Sequence, residues 1–127
     1  MEKDVAYWVK LSEYDIKTAD AMFKSRRYLY VLFTCQQAVE KLLKALVTKN
    51  TGQFPPKTHD LIRLQELAGI DIAEDRKEFI SRLSYYYIET RYPKELADIS
   101  KDLTNRTASE YLKDTKALLR WLRQKLK

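Results

Sequence analysis

The sequence predicts an all-α protein, an antiparallel up-and-down bundle of four long helices with one short helix packed across an end. Only 2 Gly and 3 Pro occur among 127 residues, so few turns are expected and long helices are favoured over many short strands. Apolar residues also recur at intervals of three and four, the spacing that places them on one face of a helix. Amphipathic helices joined by short connections bury their apolar faces most simply side by side, which gives a bundle.

The first two helices are predicted from two long apolar series. The first series occupies positions 5–23 and is followed by a polar, basic segment. The second occupies positions 28–46, is the more regular of the two, and ends before residues 50–56, which include a glycine and two prolines. Cys35 falls within the second apolar series, and we therefore expect a buried, unreactive position for it.

The next two helices are predicted from capping signals. Thr58 is expected to cap a short third helix, because its hydroxyl can accept an otherwise unpaired backbone N–H group, and Gly69 ends that helix. Asp71 and Glu74 have the spacing of a capping box, and the apolar series behind them predicts a fourth helix. Residues 91–93 interrupt that helix.

A fifth helix and the segment before it complete the chain. Thr107 and Glu110 repeat the capping-box spacing and open a last helix with a long apolar face. Residues 91–106 are too few and too apolar for a flexible linker, so we expect an ordered loop with a turn of helix. Because the sequence shows no domain boundary, residues 1–127 are predicted to form one domain.

The charge pattern leaves two interpretations open. The formal net charge is +6, and the segment 116–127 carries five cations and no acid. Such a segment can bind nucleic acid through its phosphates. It can also reflect the preference of cations for the negative end of a helix dipole.

The cellular setting is also predicted from simple features. No apolar run approaches the length of a membrane span, and the first residues lack the apolar core of a signal peptide. We therefore expect a cytoplasmic protein without membrane association. A single cysteine permits no internal disulfide.

Few residues can carry out chemistry. The chain has one His, one Cys, no Gly-rich phosphate loop and no His/Cys cluster spaced for zinc, so neither a metal nor a cofactor is predicted. His59 lies beside Asp60 at the start of the predicted third helix, and Arg63 follows one turn later, which brings a base and a cation together. The alternative is a surface histidine that bonds to nearby backbone.

A second candidate region is the corner at the end of the predicted fourth helix. Pro93 restricts its own φ and pushes Tyr92 out of the helical region. Arg91 at this corner can point into a cleft, or it can bond to the carbonyls that end the helix. Three consecutive tyrosines at 85–87 point in three directions, so at least one ring should reach an interface or a groove.

Several residues together carry a family resemblance. They are Trp8, Ser12, Asp15 and Ala19, the run 36–45 (QQAVEKLLKA), residues 58–61 (THDL) and residues 91–93 (RYP). In this order and spacing the chain resembles the HEPN-domain family, small helical proteins often encoded beside a minimal nucleotidyltransferase. The resemblance covers nearly the whole chain and implies a bundle of four or five helices that pairs as a homodimer, with a cleft between or beside the protomers.

The resemblance also bears on catalysis. Some members of the family are RNA-cutting toxins whose signature places an Arg shortly before a His on one helical side. In this sequence the residues seven, six and five positions before the only histidine are Gly52, Gln53 and Phe54. The signature of the toxins is therefore missing, and whether the protein is an enzyme stays open.

Our first hypothesis is a dimeric binding module that partners a minimal nucleotidyltransferase in a toxin–antitoxin-like pair and holds a nucleotide or RNA phosphate in a basic cleft. Glu40 would line this cleft, although an ordinary solvated helix face would have the same residue types. The residues expected to bind the phosphate or nucleotide are Gln37, Lys41, Lys44, Arg63 and Tyr92.

Two alternatives remain. In a ribonuclease toxin, His59 would act as acid or base on the 2′-hydroxyl and Arg91 would stabilise the crowded phosphate. In a self-associating bundle without ligand, the 9 tyrosines would form a dimer interface, because tyrosine suits interfaces that are partly wet.

Overall fold

A computed structural model describes residues 2–127 and contains six helices and no strand within that range. The all-α class predicted from the sequence is confirmed. The helices are α1 (Glu2–Lys24), α2 (Tyr28–Thr51), α3 (Leu61–Ala68), α4 (Glu74–Ser84), α5 (Pro93–Ser100) and α6 (Asn105–Gln124). No helix of the described residues is both long and apolar enough to cross a membrane.

Helices α1, α2 and α6 are the three longest helices of the bundle. Only three residues connect α1 to α2, so the two helices run antiparallel. Helix α6 runs in the same direction as α2, because Asn105 at its start donates to the Tyr28 hydroxyl at 3.1 Å, while Lys49 near the end of α2 donates to the carbonyl of Leu126 beyond the end of α6.

Helix α4 runs opposite to α6. The Arg76 guanidinium near the start of α4 lies 4.4 Å from the ring centroid of Trp121 near the end of α6, whereas Phe79 meets Tyr111, farther back along α6, at 5.7 Å between ring centroids. The directions of α1, α2, α4 and α6 therefore alternate along the chain, as expected for an up-and-down bundle.

Helix α2 supplies the largest part of the core. It contacts each of the other five helices, and most of its residues between positions 31 and 48 are buried. Cys35 is fully buried, as expected. Burial raises the pKa of its thiol from 9.0 to about 12, because a thiolate is poorly solvated in an apolar interior.

The second half of the chain differs from the sequence prediction in helix length and number. The fourth helix ends at Ser84, and residues 85–87 continue as turns instead of helix. Residues 93–100 then form a helix of their own where a loop with one helical turn was expected. Proline is well suited to the first position of a helix, because its φ is preset and its missing N–H is not needed there.

Tyr92 precedes this helix in an extended conformation, as Pro93 predicts, with φ −77° and ψ 155°. Its backbone N–H donates to the Glu95 carboxylate at 3.3 Å. The end of α4 and the start of α5 are therefore separated by a fixed corner.

The helix caps also differ from the predicted ones. Helix α3 is capped by Asp60, whose carboxylate accepts N–H groups from the first turn, while the Thr58 hydroxyl accepts the N–H of Asp60 itself at 3.2 Å. Helix α6 is capped by Thr104 and not by Thr107. Helix α4 follows Ala73 without a side-chain cap, so the predicted Asp71 cap is absent. Several polar residues stand before α3 and α6, and spacing alone does not decide which one reaches the free N–H groups.

Candidate functional site

A buried carboxylate on α2 lies at the centre of the candidate site. The Glu40 side chain is 4% exposed. Its Oε1 accepts hydrogen bonds from Gln36 Nε2 at 3.1 Å and His59 Nδ1 at 2.9 Å, and its Oε2 accepts one from Lys44 Nζ at 3.0 Å. A charge removed from water in this way is stable only with such partners.

The contact with Glu40 orients the imidazole of His59. A carboxylate can only accept hydrogen bonds, so Nδ1 carries a hydrogen and, in the neutral ring, Nε2 has a free lone pair. The side chain is 41% exposed, so the ring is partly open to solvent. This is the arrangement in which a histidine is held in one tautomer while its other nitrogen remains available for a ligand or a proton.

Tyr87 fixes the plane of the same ring. The rings of His59 and Tyr87 are stacked, with centroids 3.7 Å apart and an angle of 11° between their planes. The Tyr87 hydroxyl donates to Glu89 Oε2 at 3.1 Å, and its ring meets the edge of Phe33 on α2. Partial burial and the neighbouring Glu89 carboxylate raise the pKa of Tyr87 to about 12, so its hydroxyl stays protonated at neutral pH.

The backbone around His59 is held by α2 and α4. The carbonyl of His59 accepts a hydrogen bond from Gln36 Nε2 at 3.1 Å. Two residues further on, the N–H of Leu61 donates to the Ser84 hydroxyl at 2.9 Å, and Asp60 caps α3. The backbone at His59 is therefore held by contacts with α2 and α4 and by the cap of α3. These contacts fix its position even though α3 has only eight residues.

The predicted binding residues of α2 divide into two groups. Gln37 donates to Gln36 Oε1 at 2.7 Å, and Lys44 pairs with Glu40, so both belong to the network around Glu40. Lys41 lies instead against α1, where it forms an ion pair with Asp15. The Lys44 ammonium also lies 5.6 Å from the ring centroid of Trp8 on α1.

Arg63 and Tyr92 are more exposed than the α2 residues. Arg63 lies on the first turn of α3, four residues after His59, and its guanidinium has no hydrogen-bond or ion-pair partner among residues 2–127. Tyr92 is 77% exposed and precedes α5. Neither side chain forms a hydrogen bond or ring contact with His59 among residues 2–127.

Arg91 has a different set of neighbours from His59. Its Nη2 donates to the carbonyl of Tyr85 at 2.9 Å, and its Nη1 pairs with Glu95 at 3.2 Å. The guanidinium lies 4.3 Å from the centroid of the Tyr85 ring. Arg91 therefore joins the end of α4 to α5, which is one of the two roles expected for it from the sequence, and within the chain it shares no hydrogen-bond partner with His59.

The site is partly open to solvent. Five grooves on the described residues have volumes of about 220 to 360 Å³, and His59 lines none of these five. No group of three or more His, Cys, Asp or Glu residues within 2–127 is arranged to hold a metal ion. The chemistry available at the surface is that of an imidazole oriented by Glu40, with the Lys44 ammonium bonded to the other oxygen of the same carboxylate.

Sequence reasoning missed two members of this network. Gln36 was noticed only as part of the family pattern, and Tyr87 only as one of three tyrosines. The solvated helix face considered as an alternative for Glu40 and Lys44 is wrong, since both residues are buried. One sequence signal was available: Gln36, Glu40 and Lys44 recur every four residues on a helix that is otherwise largely apolar.

Comparison with known proteins places the chain among HEPN proteins. A family model described as HEPN domain matches residues 5–125. The crystal structure of TT1696 from Thermus thermophilus is similar, with a TM-score of 0.79 and 28% identity over 95% of this chain and 97% of that chain. ST0689, described as an archaeal HEPN homologue, shares the fold with a TM-score of 0.67 and 20% identity over 97% and 98% of the two chains. No curated protein matches the chain at a significant level.

Proposed function

The chain belongs to the HEPN domain family, and from this membership we propose that it is a homodimeric module that binds the phosphate group of a nucleotide or RNA beside His59. In this proposal the dimer partners a minimal nucleotidyltransferase in a toxin–antitoxin-like pair. The observation that carries the phosphate-binding part is the hydrogen bond between His59 and the buried Glu40.

The hydrogen bond to Glu40 favours phosphate binding for an electrostatic reason. When the ring is protonated, Nδ1–H donates to the carboxylate and Nε2–H is left to donate to an anion. Arg63, on the first turn of α3 and four residues after His59 in the sequence, would supply a second cation. Phosphate groups are bound in proteins by such combinations of charged donors.

Exposed aromatic residues support the dimeric part of the proposal. Large exposed side chains are Tyr30, Phe54, Tyr85 and Tyr92, with exposed fractions between 48% and 77%. Aromatic residues, tyrosine among them, are enriched at protein interfaces, because they combine a large apolar area with few rotatable bonds. Sedimentation equilibrium should give twice the mass of the chain, and a single species at the monomer mass would contradict the homodimer.

Isothermal titration with AMP and with a short RNA tests the binding site. We expect the wild type to bind and the His59→Ala and Arg63→Ala variants to bind about tenfold more weakly, because each loses one charged hydrogen-bond donor. Lys113→Ala is the matched control, since it removes an exposed cation from α6, a helix that supplies none of the residues described around His59. Unchanged affinity in His59→Ala would contradict phosphate binding at this surface.

Co-purification tests the proposed partner. The chain is co-expressed with a minimal nucleotidyltransferase of the same organism, and gel filtration should show both proteins in one complex. Separate elution of the two proteins at micromolar concentration would contradict this part of the proposal and leave phosphate binding to be judged by titration.

A ribonuclease activity is the second candidate, and the orientation of His59 by a carboxylate is the observation that favours it. An imidazole held in one tautomer can take the proton of a 2′-hydroxyl, and Arg63 or Arg91 would have to stabilise the phosphate. The test is cleavage of labelled RNA by the wild type and by His59→Ala. Cleavage by the wild type that is lost in the variant supports the nuclease. Intact RNA with both proteins contradicts the nuclease and is consistent with the binding module.

A further inference from the structure

The outward face of α1 carries a regular series of cations and aromatic rings, which we call the lysine–tyrosine stripe. Its members are Lys3, Tyr7, Lys10, Tyr14, Lys17 and Lys24. The spacing alternates between four and three residues up to position 17 and then reaches one further lysine two turns later. At 3.6 residues per turn, all six side chains fall within a sector of about 100° around the helix axis.

The stripe is exposed and its charge is not compensated. Tyr7 and Tyr14 are 61% and 71% exposed, and the four lysines are exposed as well. None of these lysines forms a hydrogen bond or ion pair with a side chain of residues 2–127. All acidic residues of α1 lie outside the sector; Glu13, the nearest of them, is paired with Arg123 of α6, and Asp20 is paired with Lys116 of α6.

This composition favours one class of ligand. Lysine is depleted at protein–protein interfaces, and a second copy of the chain would bring like charges together. Cations that alternate with aromatic rings are instead typical of surfaces that bind single-stranded nucleic acid, where the cations meet phosphates and the rings stack on bases. A double helix keeps its bases stacked inside, so exposed tyrosines would contribute little to binding it.

We propose that the lysine–tyrosine stripe binds single-stranded nucleic acid, with its lysines on phosphates and with Tyr7 and Tyr14 stacked on bases. The stripe extends for about 32 Å, and the two tyrosines lie about 10 Å apart along the axis. A strand lying along α1 would therefore place one or two nucleotides between the rings. This binding surface is separate from the residues around His59 and does not require phosphate binding there.

Fluorescence anisotropy with a labelled uridine oligonucleotide of about 15 residues tests the proposal. For four lysines on phosphates we expect log K to fall with log salt concentration with a slope of about −3. The double variant Tyr7→Ala/Tyr14→Ala should bind about tenfold or more weakly with an unchanged slope, because stacking is lost while the charges remain. Lys10→Ala/Lys17→Ala should reduce the slope to about −1.5.

A matched control removes the same charge elsewhere. Lys94→Ala/Lys101→Ala changes two exposed lysines on and just after α5, and it should leave the slope unchanged. Circular dichroism confirms that each variant is folded. Binding of AMP reports on the His59 surface and should be the same in the stripe variants, so either proposal can fail without the other.

Four outcomes would overturn the proposal. The first is no binding of the oligonucleotide at about 50 mM salt, and the second is an equal loss of affinity in the stripe and control variants. The third is equal affinity for duplex RNA together with no effect of the tyrosine substitutions. The fourth is binding to phosphatidylserine vesicles that depends on the stripe, without binding of RNA.

Discussion

Glu40 is the residue on which the geometry of the candidate site depends. Its carboxylate accepts hydrogen bonds from Gln36, Lys44 and His59, which come from two different parts of the chain. It therefore holds the imidazole and at the same time neutralises a buried ammonium group. A residue with both tasks links the stability of the bundle to the chemistry of its surface.

Substitution of Glu40 by alanine should strongly destabilise the protein. The Lys44 side chain is 9% exposed and would lose its ion-pair partner, and breaking a buried pair from one side lowers the free energy of unfolding by about 3 kcal/mol. Urea denaturation measures this. The control is Glu110→Ala, which removes a solvent-exposed ion pair with Arg106 and should cost less than about 1 kcal/mol. Equal losses in the two variants would contradict the assigned role of Glu40.

Cys35 predicts a pH dependence of stability. Its pKa is about 12 in the folded protein against 9.0 for an exposed thiol, so above pH 9 the unfolded chain releases a proton that the folded chain retains. Unfolding is therefore favoured by rising pH, and this group alone lowers the free energy of unfolding by about 1.4 kcal/mol per pH unit between pH 9 and pH 12.

The variant Cys35→Ala lacks this contribution. Between pH 9 and pH 10.5 the free energy of unfolding of the wild type should fall more steeply than that of the variant, because the tyrosines titrate in both proteins and cancel in the comparison. Denaturation curves at several pH values measure the difference. Parallel curves would show that the thiol is not retained in the buried, protonated form.

Among the helices, α3 connects the fold to the candidate site. It has only eight residues, too few to be stable alone, and it is fixed at both ends. Asp60 caps its start, and Gly69 ends it in the left-handed conformation with φ 69°, which glycine adopts without steric strain. The position of His59 directly before this helix therefore depends on the caps as much as on the contact with Glu40.

The N-terminal cap of α3 can be tested by substitution. Asp60→Ala removes the acceptor for the N–H groups of Ile62 and Arg63 and should lower the free energy of unfolding by about 1 kcal/mol. Asp71→Ala is the control, because Asp71 does not cap α4, and its effect should stay within about 0.5 kcal/mol. Thermal or urea denaturation checks both. A larger loss of unfolding free energy in Asp71→Ala than in Asp60→Ala would indicate that Asp71 caps α4, as the sequence predicted.

In the whole molecule, one apolar core links α2 to the helices around it. The indole of Trp8 lies on α1 and that of Trp121 on α6, and both pack against this core. Fluorescence therefore reports on the tertiary packing of α1 and α6, while circular dichroism reports on helix content. If the core is cooperative, the two signals should change together during unfolding.

A cavity in this core tests the cooperative unit. Leu42 of α2 is 1% exposed, and Leu42→Ala should lower the free energy of unfolding by about 3 kcal/mol, from lost burial and an unfilled cavity. The control Leu126→Ala truncates a partly buried leucine beyond α6 and should cost less. Coincident fluorescence and circular dichroism transitions are expected in both variants, and separate transitions would mean that α1 or α6 unfolds independently.

The candidate site was predicted only in part, and the reason lies in the range of the interactions. His59 was selected for its residue type and its place before a helix, and Lys44 and Gln37 for their place in a family pattern. The hydrogen bond between Glu40 and His59 joins residues 19 positions apart, and the stacking on Tyr87 joins residues even farther apart. No spacing rule within a helix can give such pairs.

The sequence by itself determined the all-helical class, the approximate positions of α1 and α2 and the burial of Cys35, because the period of apolar residues along a helix is a local property of the chain. The tertiary structure alone decided which residues meet: Glu40 with His59 in one place, Arg91 with Tyr85 and Glu95 in another. Those contacts depend on the crossing angles of the helices that pack against α2 and on their positions along its axis. Both are set by all the side chains of the core together.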